Sequence, residues 1–144
     1  MAITTNAICN SFKKELLEGT HNFKSSGGNS FKLALYTSSA TLGKSTTSFT
    51  TDNQVGATGQ YASGGSALTN GGTSLSSDTA LVDFADLSFT GVSLTARGAL
   101  IYNTSESNKA VAVLDFGGDK TATAGTFTIQ FPTFNSTNAI LRIS

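Results

Sequence analysis

With 144 residues, nine Lys+Arg against nine Asp+Glu, one histidine and one cysteine, the chain has the length of one domain, enough to bury roughly two-thirds of its unfolded surface. A charged fraction of 12% supplies no basic patch to neutralise phosphates, which argues against nucleic-acid binding. A single thiol, Cys9, excludes an internal disulfide or a multi-thiolate metal site.

Solubility must come from hydroxyls and amides. Ser, Thr and Asn compete with the helical backbone for hydrogen bonds, so the composition favours strands and turns. Residues 1–5 read as a short extended arm. They lack the basic and long apolar regions of a signal peptide, and no run approaches the ~18–20 apolar residues of a membrane span. Synthesis in a cytoplasm is expected, with no membrane partner. Asn6 is placed to cap a helix in which Ile8, Phe12 and Leu16 form an apolar stripe. Gly19 stands where a helix C′ residue belongs, so the spacing predicts a helix over 7–18. Three turns do not stand alone in water, so the stripe must dock on the β domain or, as the less favoured option, on a neighbouring subunit. Ser25-Ser-Gly-Gly-Asn-Ser30 reads as a flexible turn or short linker. Phe31, Leu33 and Leu35 then alternate with Lys32, Ala34 and Tyr36, a strand with one face in the core.

From 38 to 77 the chain is Ser, Thr, Gly and Asn with isolated apolar anchors at Leu42, Phe49, Val55, Tyr61, Ala67 and Leu68. A structureless loop of that length is unusual in a compact domain. Either it forms short strands, best placed at 66–69, or it is a long polar excursion ordered by another chain. Residues 79–84 and 86–89 predict one or two further strands. Segments 94–102, 110–116 and 126–131 then have strand length with turn chemistry between them, the signature of an antiparallel meander. Phe127, Ile129 and Phe131 share one face, and Val111 and Val113 against Ala112, Leu114 and Phe116 suggest a strand covered on both sides. The loop 103–108 closes a hairpin, Phe116-Gly-Gly-Asp-Lys-Thr121 reads as a tight turn, and Pro132 stops the strand before it. Residues 139–143 predict a terminal edge strand. The expected fold is mainly β: an antiparallel β-sandwich or small jelly-roll or barrel of six to eight strands with one N-terminal helix. The expected organisation is a single domain over 1–144, its β part spanning 31–143.

Candidate chemistry is thin. Any Ser-His-Asp or Cys-His arrangement must use His21, which lies just past the helix in what reads as a solvated turn, and Cys9 reads as a buried small thiol. Gly117-Gly-Asp-Lys-Thr121 lacks the spacing of a phosphate-binding loop, and Gly56-Ala-Thr-Gly59 and Gly64-Gly65 supply backbone freedom. Asp83, Asp86, Asp115 and Asp119 match no calcium motif and read as turn and edge carboxylates. Asp115, inside an apolar run, requires a partner, Arg97 or Lys120. Tyr36, Tyr61 and Tyr102 are the candidates for a carbohydrate platform, although sugar surfaces more often show Trp, which is absent here. The sequons Asn103-Thr-Ser105 and Asn135-Ser-Thr137 are expected accidents of a Ser/Thr-rich chain. No catalytic, cofactor-binding or metal-ligating residue is expected.

Four pieces, in order over most of the chain, carry a family likeness: Cys9-Asn-Ser-Phe-Lys-Lys-Glu-Leu-Leu-Glu-Gly19, Phe31-Lys-Leu-Ala-Leu-Tyr-Thr-Ser-Ser39, Thr95-Ala-Arg-Gly-Ala-Leu-Ile-Tyr-Asn103 and Ala112-Val-Leu-Asp-Phe-Gly-Gly-Asp-Lys120. With these the chain resembles a group of small structural proteins of tailed bacteriophages, particularly phages of marine bacteria. The resemblance implies a non-enzymatic virion component assembled in the host cytoplasm. The leading expectation is a capsid decoration or cement protein that binds the major capsid protein, self-associates, with a trimer favoured, and bridges shell subunits with its arm and polar excursion. The alternative is a tail, spike or fibre-associated protein. A glycan hydrolase using paired carboxylates is a distant third.

Overall fold

The computed structural model describes residues 3, 4, 6–132 and 140–144. Among them the chain is mainly β, with eight strands in two antiparallel sheets and one short helix, the β-sandwich expected from the strand spacing. The strands are β1 (Ala7–Ile8), β2 (Phe31–Tyr36), β3 (Ser66–Ala67), β4 (Asn70–Ser76), β5 (Thr79–Phe84), β6 (Leu87–Asn103), β7 (Lys109–Ile129) and β8 (Leu141–Ile143), with α1 (Asn10–Leu17) following β1. The larger sheet runs β1-β7-β6-β2-β3 and the smaller β4-β5-β8. Of the predicted terminal strand, Ala139 lies outside the described residues, as does the sequon at Asn135.

Aromatic rings join the two layers. Phe31 of β2 stacks on Phe23 with centroids 4.6 Å apart, and Phe84 of β5 meets Phe31 edge-on at 5.7 Å. Phe12 of α1 meets Phe23 at 5.9 Å, and Phe131 meets Phe84 at 6.0 Å. Phe12, Phe23, Phe31 and Phe84 are all buried. Offset and T-shaped ring pairs of this kind add roughly 0.5–1.5 kcal/mol each beyond the area they bury.

The predicted meander is one long ribbon. Segments 86–89 and 94–102 merge into β6, and 110–116 and 126–131 merge into β7, up to Ile129. The Gly-Gly segment is therefore no tight turn. Ala96 pairs with Lys120 and Gly98 with Asp115, so the four residues 116–119 stand opposite Arg97 alone. The surplus is taken up as a bulge in which Gly117 adopts φ +79°, a left-handed value that glycine accepts cheaply. Gly-Gly reads locally as a turn because bulge and turn ask the same freedom of the backbone. Only the pairing of Lys120 and Thr121 beyond it separates the two.

Burial along the ribbon follows its neighbours. Ala99–Tyr102 and Ala110–Val113 are buried throughout, covered on both faces, with α1 packed on β7. Beyond the bulge the period of two returns. Val92, Leu94, Ala96, Phe127 and Ile129 are buried, whereas Ser93, Thr95 and Thr128 are exposed. Across that outer face Thr95 and Thr121 hydroxyls hydrogen-bond at 2.9 Å, as do Ser88 and Thr128.

The helix is shorter than predicted and starts later. Ala7 and Ile8 pair with Val113 and Ala112 as β1, and the Asn6 Oδ1 accepts the Asp115 N–H at 2.6 Å instead of capping the helix. Cys9 takes the N-cap position without a side-chain cap bond. A cap is worth ~1 kcal/mol, less than seating the buried β7 edge. The C-terminus follows the sequence signal: Gly19, at φ +75°, donates to Leu16 O at 3.2 Å, and Thr20 donates to Glu15 O at 3.0 Å, a Schellman closure.

The stretch 38–69 packs on its own domain. Ala40, Leu42, Val55, Tyr61 and Leu68 are buried, Ser66–Ala67 form β3, and the rest of the excursion runs into β4. Three tyrosine hydroxyls fasten it. Tyr36 donates to Thr50 O at 2.6 Å, and Tyr102 donates to Gly64 O. The Tyr61 hydroxyl accepts the Leu35 N–H at 2.8 Å and donates to the Gln54 Oε1 at 3.0 Å. Gln54 Oε1 also receives the Gly64 N–H at 2.7 Å. Buried phenols need such partners, and each one here draws a distant piece of polar loop onto the sheet.

Candidate functional site

The residues that first suggest chemistry are placed by the fold in structural positions. His21 is buried, contrary to the solvated turn expected of it. Its Nε2 lies 2.9 Å from the Glu15 Oε1, and its Nδ1 lies 2.9 Å from the Asn103 Nδ2. Asn103 Oδ1 already accepts the Ser105 N–H at 3.0 Å, and Asn103 Nδ2 also donates to Asn29 Oδ1 at 2.9 Å. The amide nitrogen therefore faces the ring, Nδ1 accepts, and the ring proton sits on Nε2 and points at Glu15. The network ties α1, the turn at 29 and the β6–β7 hairpin together. His21 also packs against Phe12, with centroids 4.7 Å apart. Cys9 is buried as expected, its thiol pushed up to about 11 chiefly by that burial, so at neutral pH it keeps its proton and is a poor nucleophile.

The carboxylates serve separate elements. Asp86 Oδ1 accepts the Phe131 N–H at 2.8 Å, and Asp83 lies on β5 opposite Gly72. Asp119 is exposed within the bulge. Asp115 Oδ1 accepts from the Gly117 N–H at 2.9 Å and from Arg97 Nε at 3.2 Å. Of the two partners considered, Arg97 is the one in place. Among the described residues no three His, Cys, Asp or Glu side chains gather where they would hold a metal ion. Tyr36, Tyr61 and Tyr102 are buried and make no surface platform.

The Asp115 contacts predict an acid-dependent loss of stability. The Gly117 N–H, and after it Arg97, hold the carboxyl below its ordinary value of 3.8. A depressed folded value contributes stability above the unfolded value, and that contribution is lost as pH falls through the folded one. Asp115→Asn should be less stable than wild type at neutral pH, and the difference should shrink as pH is lowered from neutral to below 3.8, through the folded value. Urea midpoints measured across that range check it. A gap that is constant with pH would mean the carboxylate charge contributes nothing.

The surface that stands apart is apolar. Leu17, Leu75 and Ile143 are 92%, 77% and 60% exposed, the large hydrophobic side chains most open to solvent among the described residues. They lie together. In the smaller sheet Leu75, Ala80 and Ile143 form one cross-strand row, and directly opposite residues share a face. Ile143 and Leu17 line one groove between α1 and that sheet, with a volume of about 500 Å³. Phe12, Leu16, Val82 and Leu141 form its walls and floor. Lys13 stands at its helix side. These three side chains leave apolar surface in water that core packing does not use. Sequence reasoning passed over it, although two signals were present: Leu17 falls off the stripe that Leu16 continues, and Leu75 is a lone apolar residue in a Ser/Gly run.

Among the described residues the protein is a small β-sandwich with an open apolar groove. Compared with protein-family models, with curated proteins and with solved structures, the chain finds no match.

Proposed function

We propose that this chain is a non-enzymatic structural component of a bacteriophage virion: a capsid decoration protein that binds the major capsid protein shell and stabilises it, as a homo-oligomer with a trimer favoured. The observation that carries the reading is the exposed apolar surface of Leu17, Leu75 and Ile143 beside the groove. It is joined to a sequence that resembles tailed-phage structural proteins over most of its length. Cementing a shell requires a surface that gains by leaving water when neighbouring subunits come together, at roughly 25 cal/mol per Å² of apolar area. It also favours a surface poor in charge, because few ions are then stranded on burial.

In this reading the contact is made by the groove and not by the excursion. The polar excursion is already fastened to its own core by Tyr36, Tyr61 and Tyr102, so the bridging assigned to it by the sequence passes to the groove and the helix beside it.

The test is the copy number of this chain in purified particles, by gel densitometry against the major capsid protein. A near-stoichiometric or simple fractional ratio is expected. A ratio of about a per cent or two, as for a spike or adaptor protein, would move the chain to the tail or a vertex, and absence from the particle would overturn the virion reading.

A further inference from the structure

The edges of the two sheets differ. The larger sheet ends in β1 and β3, each two residues long, and the smaller ends on one side in β8, three residues long. Strands so short offer little unpaired backbone to a neighbour. The remaining edge, β4, is seven residues long and carries no charge and no proline, and its bulge lies at its start, between Asn70 and Gly72. The two-residue hairpin that joins it to β5 decides which backbone groups are open. Ser76 and Thr79 close that turn as a hydrogen-bonded pair, so the alternation gives Ser74 and Ser76 to β5 and turns the N–H and C=O of Thr73 and Leu75 outward. Among the described residues no strand pairs with that side, and the Leu75 carbonyl accepts there a long bond from the Ser74 hydroxyl, at 3.5 Å. Thr73, Ser74 and Leu75 are all exposed. We infer that β4 is a self-association edge, pairing antiparallel with β4 of a second copy of this chain across a two-fold axis at Ser74.

The register selects the occupant. A two-fold contact is isologous, so Thr73 of each copy stands opposite Leu75 of the other, and each such pair exchanges both of its N–H···O bonds. Leu75 shares a face with Ala80 and Ile143, and Thr73 shares that face with Val82 and Leu141. The pairing therefore runs Ile143, Ala80 and Leu75 of one copy into Thr73, Val82 and Leu141 of the other as one cross-strand row. Leu75, open to water in the single chain, gains a neighbour across the new pair, and the two leucines meet diagonally over the axis. No like charges are brought together on the paired strands, because β4 has none. An unrelated strand would serve the same backbone groups, but it would have to bring an apolar row into register, which a second copy does by symmetry.

The contact is small, so the association is weak beside that of stable dimers. It neither uses nor excludes the three-fold contact favoured for the particle, and its test is made on the purified chain. Sedimentation equilibrium should show the average mass doubling between about 10 µM and about 1 mM. Leu75→Pro removes an outward N–H and leaves those donated to β5 in place, so it should keep the thermal midpoint and weaken association at least about tenfold. Thr73→Lys, which sets two cations beside the axis without altering the backbone, should weaken it likewise. The register is read by cross-linking. Ser74→Cys stands opposite its own copy in a non-hydrogen-bonded pair, where a Cα separation of about 4.5 Å suits a disulfide, so mild oxidation should give a covalent dimer. Ser76→Cys lies more than about 13 Å from its own copy in this register and should give none, and the native Cys9 is buried. Three results overturn the inference: a mass that does not rise with concentration, association unchanged in both Leu75→Pro and Thr73→Lys, or Ser76→Cys cross-linking as readily as Ser74→Cys. None of them bears on copy number in the particle, so the two readings fail separately.

Discussion

Phe84→Ala should lower the unfolding free energy by about 3–5 kcal/mol. Phe84 is the residue through which the smaller sheet meets the larger. It is 2% exposed and touches Phe23, Phe31 and Phe131 at centroid separations of 6.3, 5.7 and 6.0 Å. Truncation removes the ring's transfer free energy and leaves a cavity that stiff neighbours cannot close, because Phe31 is held at the start of β2 by its pairing with Asn103 of β6 and by the Leu68 N–H, which its carbonyl accepts at 2.9 Å. A typical domain has only about 5–15 kcal/mol to lose, so the variant should lie near its unfolding midpoint under mild conditions. Chemical denaturation of wild type, Phe84→Leu and Phe84→Ala checks the size dependence, with Leu expected to lie between. A loss below about 1 kcal/mol for the alanine would show that the two sheets are not held together through this cluster.

Gly65→Ala should be nearly as damaging, for a reason found in the backbone. Gly65 adopts φ +81°, and a Cβ built there overlaps the Leu33 carbonyl oxygen and crowds the Cα of Ala34. Those atoms belong to β2, which pairs with β3 at Leu33 and Ser66. The substitution adds a left-handed penalty of about 1–2 kcal/mol to a clash that only separation of β3 from β2 relieves. The neighbouring Gly64 is held by Tyr102 and Gln54, so the excursion should come away from the core as a unit. A loss of at least ~2–3 kcal/mol is expected, with amide exchange accelerating over 54–68 ahead of the rest of the chain. Gly117→Ala is the internal control. Its φ is +79°, but a Cβ there meets nothing within 4 Å, so only the ~1 kcal/mol conformational penalty should appear. Equal losses at the two sites would show that close approach to β2 is not what Gly65 provides.

The two predictions also bear on the groove. If the excursion is held in cis as firmly as Gly65 and the three tyrosines imply, the large apolar side chains left open among the described residues are those of α1 and the smaller sheet. There the open side chains are leucine and isoleucine.

Much of the architecture was legible along the chain. The alternation at Phe31, Leu33 and Leu35, the shared face of Phe127, Ile129 and Phe131, the hairpin loop near 103–108 and the helix end at Gly19 are all signals carried within a few residues. The need of Asp115 for a cation was also readable, since a carboxylate in an apolar strand is costly without one. What only the tertiary structure decided is who pairs with whom. Asn6 leaves its cap for an amide 109 positions away, and His21 leaves the solvent for an asparagine 82 positions away. Gly117 and Gly118 bulge within a strand that continues past them, and the tyrosines turn inward to carbonyls of the excursion. The groove itself is assembled from residue 17 at one end of the chain and residue 143 at the other. The physical reason is one of range and size. Local propensities and caps are worth about 1 kcal/mol and act within a turn, whereas burial and sheet pairing are worth more and are settled between segments whose separation the sequence pattern does not record.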